Sequence, residues 1–323
     1  MTVSRLAFAL GSSLWLIAGS GAALAQDPGV PEPMAPPQNF DTSEDHYEFL
    51  YEAHGGGTRH TYESVPKWNG LWSAAGNGSR SAFVEDGELI EGLLTPEYAA
   101  AYQMRLDLIE ENGEQAYDRL TTCEPAGYPR FLMEPYTREF INTPDQVWQL
   151  NDLANESRRI YIGQEHKNID GTHFAIGDSI GFWADDLLIV HTVDIYPNDW
   201  FRGLPPTSNQ FESVEVWRLE NFPNGDQRLV VNTTFYDELS LAEPLTLSYT
   251  YRRRNDLETL GFRIRHWECD SNRNTYLTED GKTQFLLPGE EGYFDIRGPR
   301  QTPDLPADLP GQTRNPIFDD QVQ

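Results

Sequence analysis

The chain has 323 residues, with 24 Lys and Arg against 51 Asp and Glu, for a formal net charge of −27. So acidic a body repels polyanions, which excludes nucleic acid and anionic membrane surfaces as partners. Aromatic residues make up 12% of the chain, with eight Trp and fifteen Tyr, which favours a β-rich core around a ligand cavity over a helical bundle.

Residues 1–25 read as a secretory signal. Arg5 supplies the positive region, an apolar run follows, and Ala23-Leu24-Ala25 fits the small-x-small cleavage rule. Cleavage near Ala25 places the expected mature chain in the periplasm or outside the cell. No other stretch approaches the roughly 20 apolar residues of a membrane-spanning helix, so no membrane insertion is expected. Residues 26–45 are Pro-rich (Pro28, Pro31, Pro33, Pro36, Pro37) and read as a disordered leader. Residues 298–323 repeat that composition as a disordered tail, leaving a single β-barrel-like domain over 46–297. His54-Gly55-Gly56-Gly57-Thr58-Arg59-His60 matches no zinc spacing and lacks the context of a phosphate loop. It reads as a flexible loop, and no metal site is expected.

One helix is clear. Thr95 is a good N-cap, Pro96 suits the first turn, Tyr98, Tyr102, Leu106 and Ile109 recur at helical spacing, and Gly113 stops it. After Cys123 the pattern becomes strand-like. Short candidates lie at 131–133, 139–142, 147–150 and 158–162. Longer ones lie at 179–183, 187–195, 213–220, 228–237, 245–254, 261–270 and 273–277. Ala184-Asp185-Asp186 makes a tight turn between two of them. Short links imply an antiparallel meander, and that many strands close into a barrel or fold into a sandwich to avoid open edges. Gly177-Asp178-Ser179-Ile180-Gly181 spells a nucleophile-elbow pattern, but a hairpin follows where a hydrolase needs a helix.

Cys123 and Cys269 are the chain's two cysteines. In an oxidising compartment the default is one disulfide between them, the alternative being two buried free thiols.

Strand parity selects candidate site residues, because alternate side chains share a face. Over 245–254, Leu245, Leu247, Tyr249, Tyr251 and Arg253 form the interior candidate, two phenols and a guanidinium suited to an aromatic acid. The plainer reading puts Arg253 at the barrel rim, paired with an acid. Over 261–270, either His266 and Glu268 face inward as an acid/base pair, or Arg263 and Arg265 do so as an anion site. Glu215 shares a face with Ser213, Trp217 and Leu219, so burial without a partner would make it a general acid. His191 lies among Leu187, Ile189 and Val193, the usual setting of a core histidine.

The segment Gly177-Asp178-Ser179-Ile180-Gly181-Phe182-Trp183 followed by Asp186-Leu187-Leu188-Ile189-Val190 resembles that of an uncharacterised family of secreted bacterial proteins. Gly127-Tyr128-Pro129-Arg130, Glu139-Phe140-Ile141-Asn142-Thr143-Pro144, Arg159-Ile160-Tyr161, Val214-Glu215, Tyr251-Arg252-Arg253 and the two cysteines are similar as well. The resemblance covers most of 68–285 and implies a lipocalin-like antiparallel barrel. The chain departs from the family pattern at Asn209 and Glu212, where many relatives carry Glu and His.

The fold expected is therefore mostly β, an antiparallel meander closing into a lipocalin-like barrel or half-barrel with one or two accessory helices. The function expected is a cofactor-free lyase or isomerase. It would act by decarboxylation or elimination on a small aromatic or polycyclic acid, for instance a lignin-derived one. His266, Glu215 and Tyr251 are the expected catalytic residues. Tyr249, Arg253, Arg263, Arg265, Tyr161 and His191 are the expected ligand-binding ones. The competing expectation is a non-catalytic secreted carrier of a hydrophobic or aromatic ligand.

Overall fold

The structure, a computed structural model, describes residues 34–77, 82–85, 88–112, 119–167, 171–201, 203–267, 269, 275–277 and 283–286. The expected signal, the first part of the leader and the expected C-terminal tail lie outside them.

Nine strands close into a barrel. In chain order these are β1 (Gly70–Asn77), β4 (Thr137–Asn142), β5 (Gln146–Asn151), β6 (Ser157–Ile162), β7 (Asp178–Ala184), β8 (Leu187–Val193), β9 (Glu212–Asn221), β10 (Gln227–Tyr236) and β11 (Leu245–Arg253). Two small hairpins stand outside it: β2 (Val84–Glu85) with β3 (Glu88–Leu89), and β12 (Thr275–Leu277) with β13 (Thr283–Phe285). Among the described residues the strands are accompanied by the α-helices α1 (Ser43–Ala53), α2 (Pro96–Asn112), α3 (Arg130–Met133) and α4 (Asn255–Thr259). The mostly-β, lipocalin-like expectation is met. Among the described residues no helix is long and apolar enough to cross a membrane.

The period-2 pattern explains the barrel. Along β4 and β5 every second residue is buried. The inward rows interlock as one aromatic core in which Trp72, Phe140, Trp217 and Tyr251 meet from four different strands. The β7–β8 hairpin turns at Asp185 and Asp186, with Ala184 opposite Leu187 and Asp185 at φ 52°. The interior face assigned to β11 is also seen, since Leu247, Tyr249 and Tyr251 all point into the core.

The structure corrects five expectations. The barrel is mixed, because β6 and β7 run parallel after the connection through 163–177. The closing strand β1 pairs with both β11 and β4. Its sequence Gly-Leu-Trp-Ser-Ala-Ala-Gly-Asn is too rich in small residues to read as a strand. The apolar run 131–133 is a helical turn, buried on all sides, where periodicity cannot separate helix from strand. Over the described part of the expected strand at 261–270 no strand forms: 262–267 has no regular structure. Every barrel strand already has two neighbours, so no edge remains to accept another. Part of the leader is ordered, since Phe40 packs on Val214 and Tyr236 and residues 43–53 form α1.

Helix α1 follows from local chemistry. Thr42 Oγ1 accepts from the amide of Asp45 (3.1 Å), and Glu44 and Asp45 face the positive end of the helix. Gly55, Gly56 and Gly57 end it, all with positive φ. At Gly57 a Cβ would stand 3.0 Å from the Trp183 carbonyl, where Thr58 docks on the β7–β8 hairpin. Ser43, His46, Tyr47 and Leu50 lie on one helical face, and that face covers the outside of β8 and β9.

The cysteines are joined as Cys123–Cys269, which ties the irregular stretch after α4 to the segment before α3. Asn155 reinforces the tie by accepting from the Trp267 amide (2.6 Å) and donating to its carbonyl (2.9 Å).

Candidate functional site

The barrel interior gathers several of the expected site residues, but as structure. Glu215 is fully enclosed and spends its oxygens on four donors. Arg158 donates from Nη2 to Oε1 (2.5 Å) and from Nη1 to Oε2 (3.1 Å), Tyr128 donates to Oε1 (2.8 Å), and Trp217 donates to Oε2 (2.9 Å). Arg158 also reaches Ser179 Oγ (3.0 Å) and Thr192 Oγ1 (2.6 Å). Such a closed network has no free acceptor to offer a substrate, so Glu215 is corrected from general acid to internal counter-charge.

Tyr251 donates to the Leu132 carbonyl (2.7 Å) and accepts from Arg138 (3.2 Å), and burial pushes its phenol up to about 12. It therefore holds α3 against the barrel and does not exchange protons near neutrality. Tyr249 is buried in the same aromatic core. Arg253 sits at the rim as the plainer reading had it, paired with Glu258 (2.9 Å) and lying over the Trp72 ring (5.3 Å). His266, Arg263 and Arg265 are exposed on the irregular stretch outside the barrel, so none lines the lumen. Their strand has no edge to join. Glu268 lies outside the described residues. Tyr161 is half-buried on β6. The structure does not bring His266 to Glu215 or Tyr251.

The outer face under α1 holds a different constellation. Alternation along β8 sends Leu188 and Val190 inward, while Ile189 and His191 turn out beneath α1. His191 Nε2 lies 2.8 Å from Ser43 Oγ at the start of α1, and His191 Nδ1 lies 3.1 Å from His166 Nε2. His166 Nδ1 meets Asp178 Oδ2 at 3.0 Å, and the amide of Lys167 donates to the same oxygen (3.1 Å). At the other end Ser43 Oγ is hydrogen-bonded to Glu212 Oε2 on β9. The result is one chain: Asp178, His166, His191, Ser43, Glu212. Tyr47 stacks on the His191 ring at 5.2 Å and fixes its plane.

The proton inventory of this chain has two solutions with the same number of protons. In the first, Glu212 is ionised, Ser43 donates to it, His191 Nε2 donates to Ser43, and a charged His166 donates to both His191 Nδ1 and Asp178. In the second, Glu212 is protonated and donates to Ser43, Ser43 donates to His191 Nε2, His191 Nδ1 donates to a neutral His166, and His166 donates to Asp178. His191 is neutral in both and only changes tautomer. Its environment agrees: burial, with His166 and His46 nearby, pushes it down to about 3. Burial raises the Glu212 carboxyl, which suits it to hold a proton in the second arrangement.

The two ends of the chain face different surroundings. His166 and Asp178 are partly exposed. Ser43 and Glu212 border a cavity of about 570 Å³ between the start of α1, the approach to β9 and the end of β10. Phe40, Tyr236, Leu241 and Pro244 supply its apolar wall, while Asp41, Glu44, Asp237, Glu238 and Glu243 line it together with the neutral Asn209 and Gln210. Ser43 is itself fully buried, which suits a relay and not a nucleophile. Among the described residues no group of three or more His, Cys, Asp or Glu has the geometry to hold a metal ion.

Of these residues, His191 was legible as a site candidate, although for the wrong side of the barrel. Glu212 carried a signal as a departure from the family pattern. Ser43, His166 and Asp178 were not singled out, because Ser43 meets His191 only when α1 docks across more than a hundred residues, and His166 reaches Asp178 and His191 from an irregular loop between β6 and β7. The one available cue was the capping pattern Thr42-Ser43-Glu44-Asp45. No protein-family model matches the chain, and no curated protein is significantly similar to it.

Proposed function

We propose that the protein is a cofactor-free acid–base catalyst of the lyase or isomerase kind, with its reaction centre in the cavity bordered by Glu212 and Ser43. The supporting observation is the unbroken chain from Asp178 to Glu212, which gives a cavity-facing carboxyl a proton path to a partly exposed histidine. Glu212 gives or takes a proton on the bound molecule. Ser43 and His191 pass it on, and Asp178 stabilises His166 when that ring carries the charge. Elimination and isomerisation need such a group and neither a metal nor a covalent intermediate.

The substrate is an aromatic or other apolar molecule without a net negative charge. Phe40, Tyr236, Leu241 and Pro244 offer it apolar contact, and the five carboxylates around Glu212 oppose an anion. An aromatic acid, the class suggested by the inward tyrosines and arginines, is thereby replaced by its neutral counterparts, phenols and carbonyl compounds.

The test is turnover in deuterated water. Purified protein is incubated with a panel of neutral phenolic and carbonyl compounds, and deuterium uptake or product formation is followed by NMR. At least one compound is expected to exchange or react with wild type and not with Glu212→Gln or His191→Phe. Saturable binding with no exchange, unchanged in both variants, would identify a carrier instead.

A further inference from the structure

Inside the barrel, on the opposite side of the β-sheet from His191 and independent of that site, a second group of side chains is left with unmet chemistry. Arg138 is 1% exposed, yet it makes no salt bridge with any carboxylate among the described residues. Its Nη1 donates to Tyr251 OH (3.2 Å) and its Nη2 to the Glu134 carbonyl (2.8 Å), while its Nε has no partner. Asn151 stands directly across from it on β5, with Nδ2 unpartnered. Gln149, one inward step along β5 and opposite Phe140 and Arg158, has neither amide atom satisfied. Glu156, two residues before Arg158, uses Oε1 to accept from the Gly127 amide (2.7 Å) and leaves Oε2 without a partner. All four side chains are more than nine-tenths buried.

A buried guanidinium without a counter-anion costs several kcal/mol, and each unmet buried donor adds about 1–3 kcal/mol. Such a concentration of unmet groups in one place calls for a partner, which an ordered water or a bound ion supplies. Three of the atoms are N–H donors on neighbouring positions, one of them cationic, and this is the complement of a planar anion. The Arg158–Glu215 pair is already closed and competes for none of them.

We propose that Arg138, Gln149 and Asn151 form a buried binding site for a small carboxylate-type anion inside the barrel. Arg138 Nε, Gln149 Nε2 and Asn151 Nδ2 donate to its oxygens. Phe131 and Tyr251 flank the guanidinium and Phe140 stands beside Gln149, and no water-sized space adjoins the unmet atoms, so the side chains must part to admit the ligand and only an anion as small as formate, acetate or nitrate suits the site. Glu156 sets the pH dependence. Burial pushes its carboxyl up to about 7, against the opposing pull of the Gly127 amide, Arg138 and Arg130, and with Glu134 adding to the rise. Below that pH its Oε2 carries a proton and donates to the anion. Above it the carboxylate takes Arg138 for itself and repels the ligand.

The experiment uses the whole chain, dialysed free of small carboxylates, with thermal unfolding and titration calorimetry against formate, acetate and nitrate at pH 6 and pH 8. Saturable stabilisation is expected at pH 6 and weaker binding at pH 8. Gln149→Leu and Asn151→Leu, checked for folding by circular dichroism, each remove one donor and are expected to weaken binding about tenfold. The absence of saturable stabilisation by any of the three anions would overturn the proposal. So would an effect that both variants leave unchanged, which marks a surface salt effect.

Discussion

The residue that best separates structure from chemistry in this protein is Glu215. Sequence parity placed it on an inward face, correctly, and the unpartnered burial that would have made it an acid is absent because Arg158 arrives from β6. Removing one charge of such a pair leaves the other buried alone. Glu215→Gln is expected to cost about 3–5 kcal/mol in urea unfolding, while the joint replacement Arg158→Met with Glu215→Leu costs clearly less than that. A Glu215→Gln variant as stable as wild type would show that the pair is not what holds the lumen closed. Alternation along a strand is written in the sequence, so the faces of Glu215, Tyr249 and Tyr251 were legible. The partner across the barrel is set by register, the meeting of Ser43 with His191 by a helix docking from outside, and that of His166 with His191 by an irregular loop. None of these follows from strand or helix periodicity. Glu212 was visible only as a departure from a family pattern.

At the scale of elements, α1 is the piece on which the site depends, since it carries Ser43 and covers His191. Its inner face buries two histidines in neutral form. Burial pushes His46 down to about 4, where its Nδ1 meets Tyr236 OH (2.9 Å) and its ring stacks on Phe40, and His191 lies at about 3. A histidine with an ordinary value near 6.5 in the unfolded chain binds more protons there than in the docked helix. Each contribution is therefore complete above pH 6.5 and is lost as the pH falls toward 4 for His46 and 3 for His191, on the order of 3 kcal/mol for the first and about 5 kcal/mol for the second. Glu212, raised by burial with Glu44 and Asp194 adding and Ser43 and His166 opposing, acts with the reverse sign over the same range and offsets part of the loss. The hydrogen-exchange protection factors of the α1 amides, corrected for the intrinsic pH dependence of exchange, are expected to fall between pH 7 and pH 4.5 while those of β9 and β10 are kept. Uniform protection of α1 across that range would contradict the docking scheme. Helix α2 was legible from Thr95, Pro96 and its apolar spacing, whereas α1 was hidden by the proline-rich composition just before it. The alternation at 262–267 looked like a strand and is not one, because β1 had already closed the sheet.

At the scale of the whole molecule, the barrel interior is occupied by rings, the Arg158–Glu215 pair and the Arg138 cluster, and the hydrogen-bonded chain from Asp178 to Glu212 runs along its outer wall. The lumen holds the structure rigid so that β8 and β9 can present His191 and Glu212 to α1 at hydrogen-bonding distance. The Cys123–Cys269 bridge spans a sequence separation of 146 and anchors the chain after α4. Its reduction is expected to cost about 2–5 kcal/mol in denaturant unfolding, with two thiols becoming reactive to iodoacetamide only after reductant is added. Thiols labelled in the untreated native protein would refute the bridge. The barrel class was within reach of sequence because many short strands with turn signals have few ways to bury their edges. Its closure was not, since the strand that completes it is made of Gly, Ala, Ser and Asn around one Trp and one Leu.

The most direct measurement is an NMR titration of the imidazole nitrogens in wild type and in Glu212→Gln. If the chain from Asp178 to Glu212 conducts a proton, His191 stays neutral from pH 8 to pH 5 while the balance between its two tautomers changes on loss of the Glu212 carboxyl. A His191 that charges with a midpoint near 6.5, or a His191 tautomer balance indifferent to Glu212→Gln, would mean that these side chains are neighbours and nothing more.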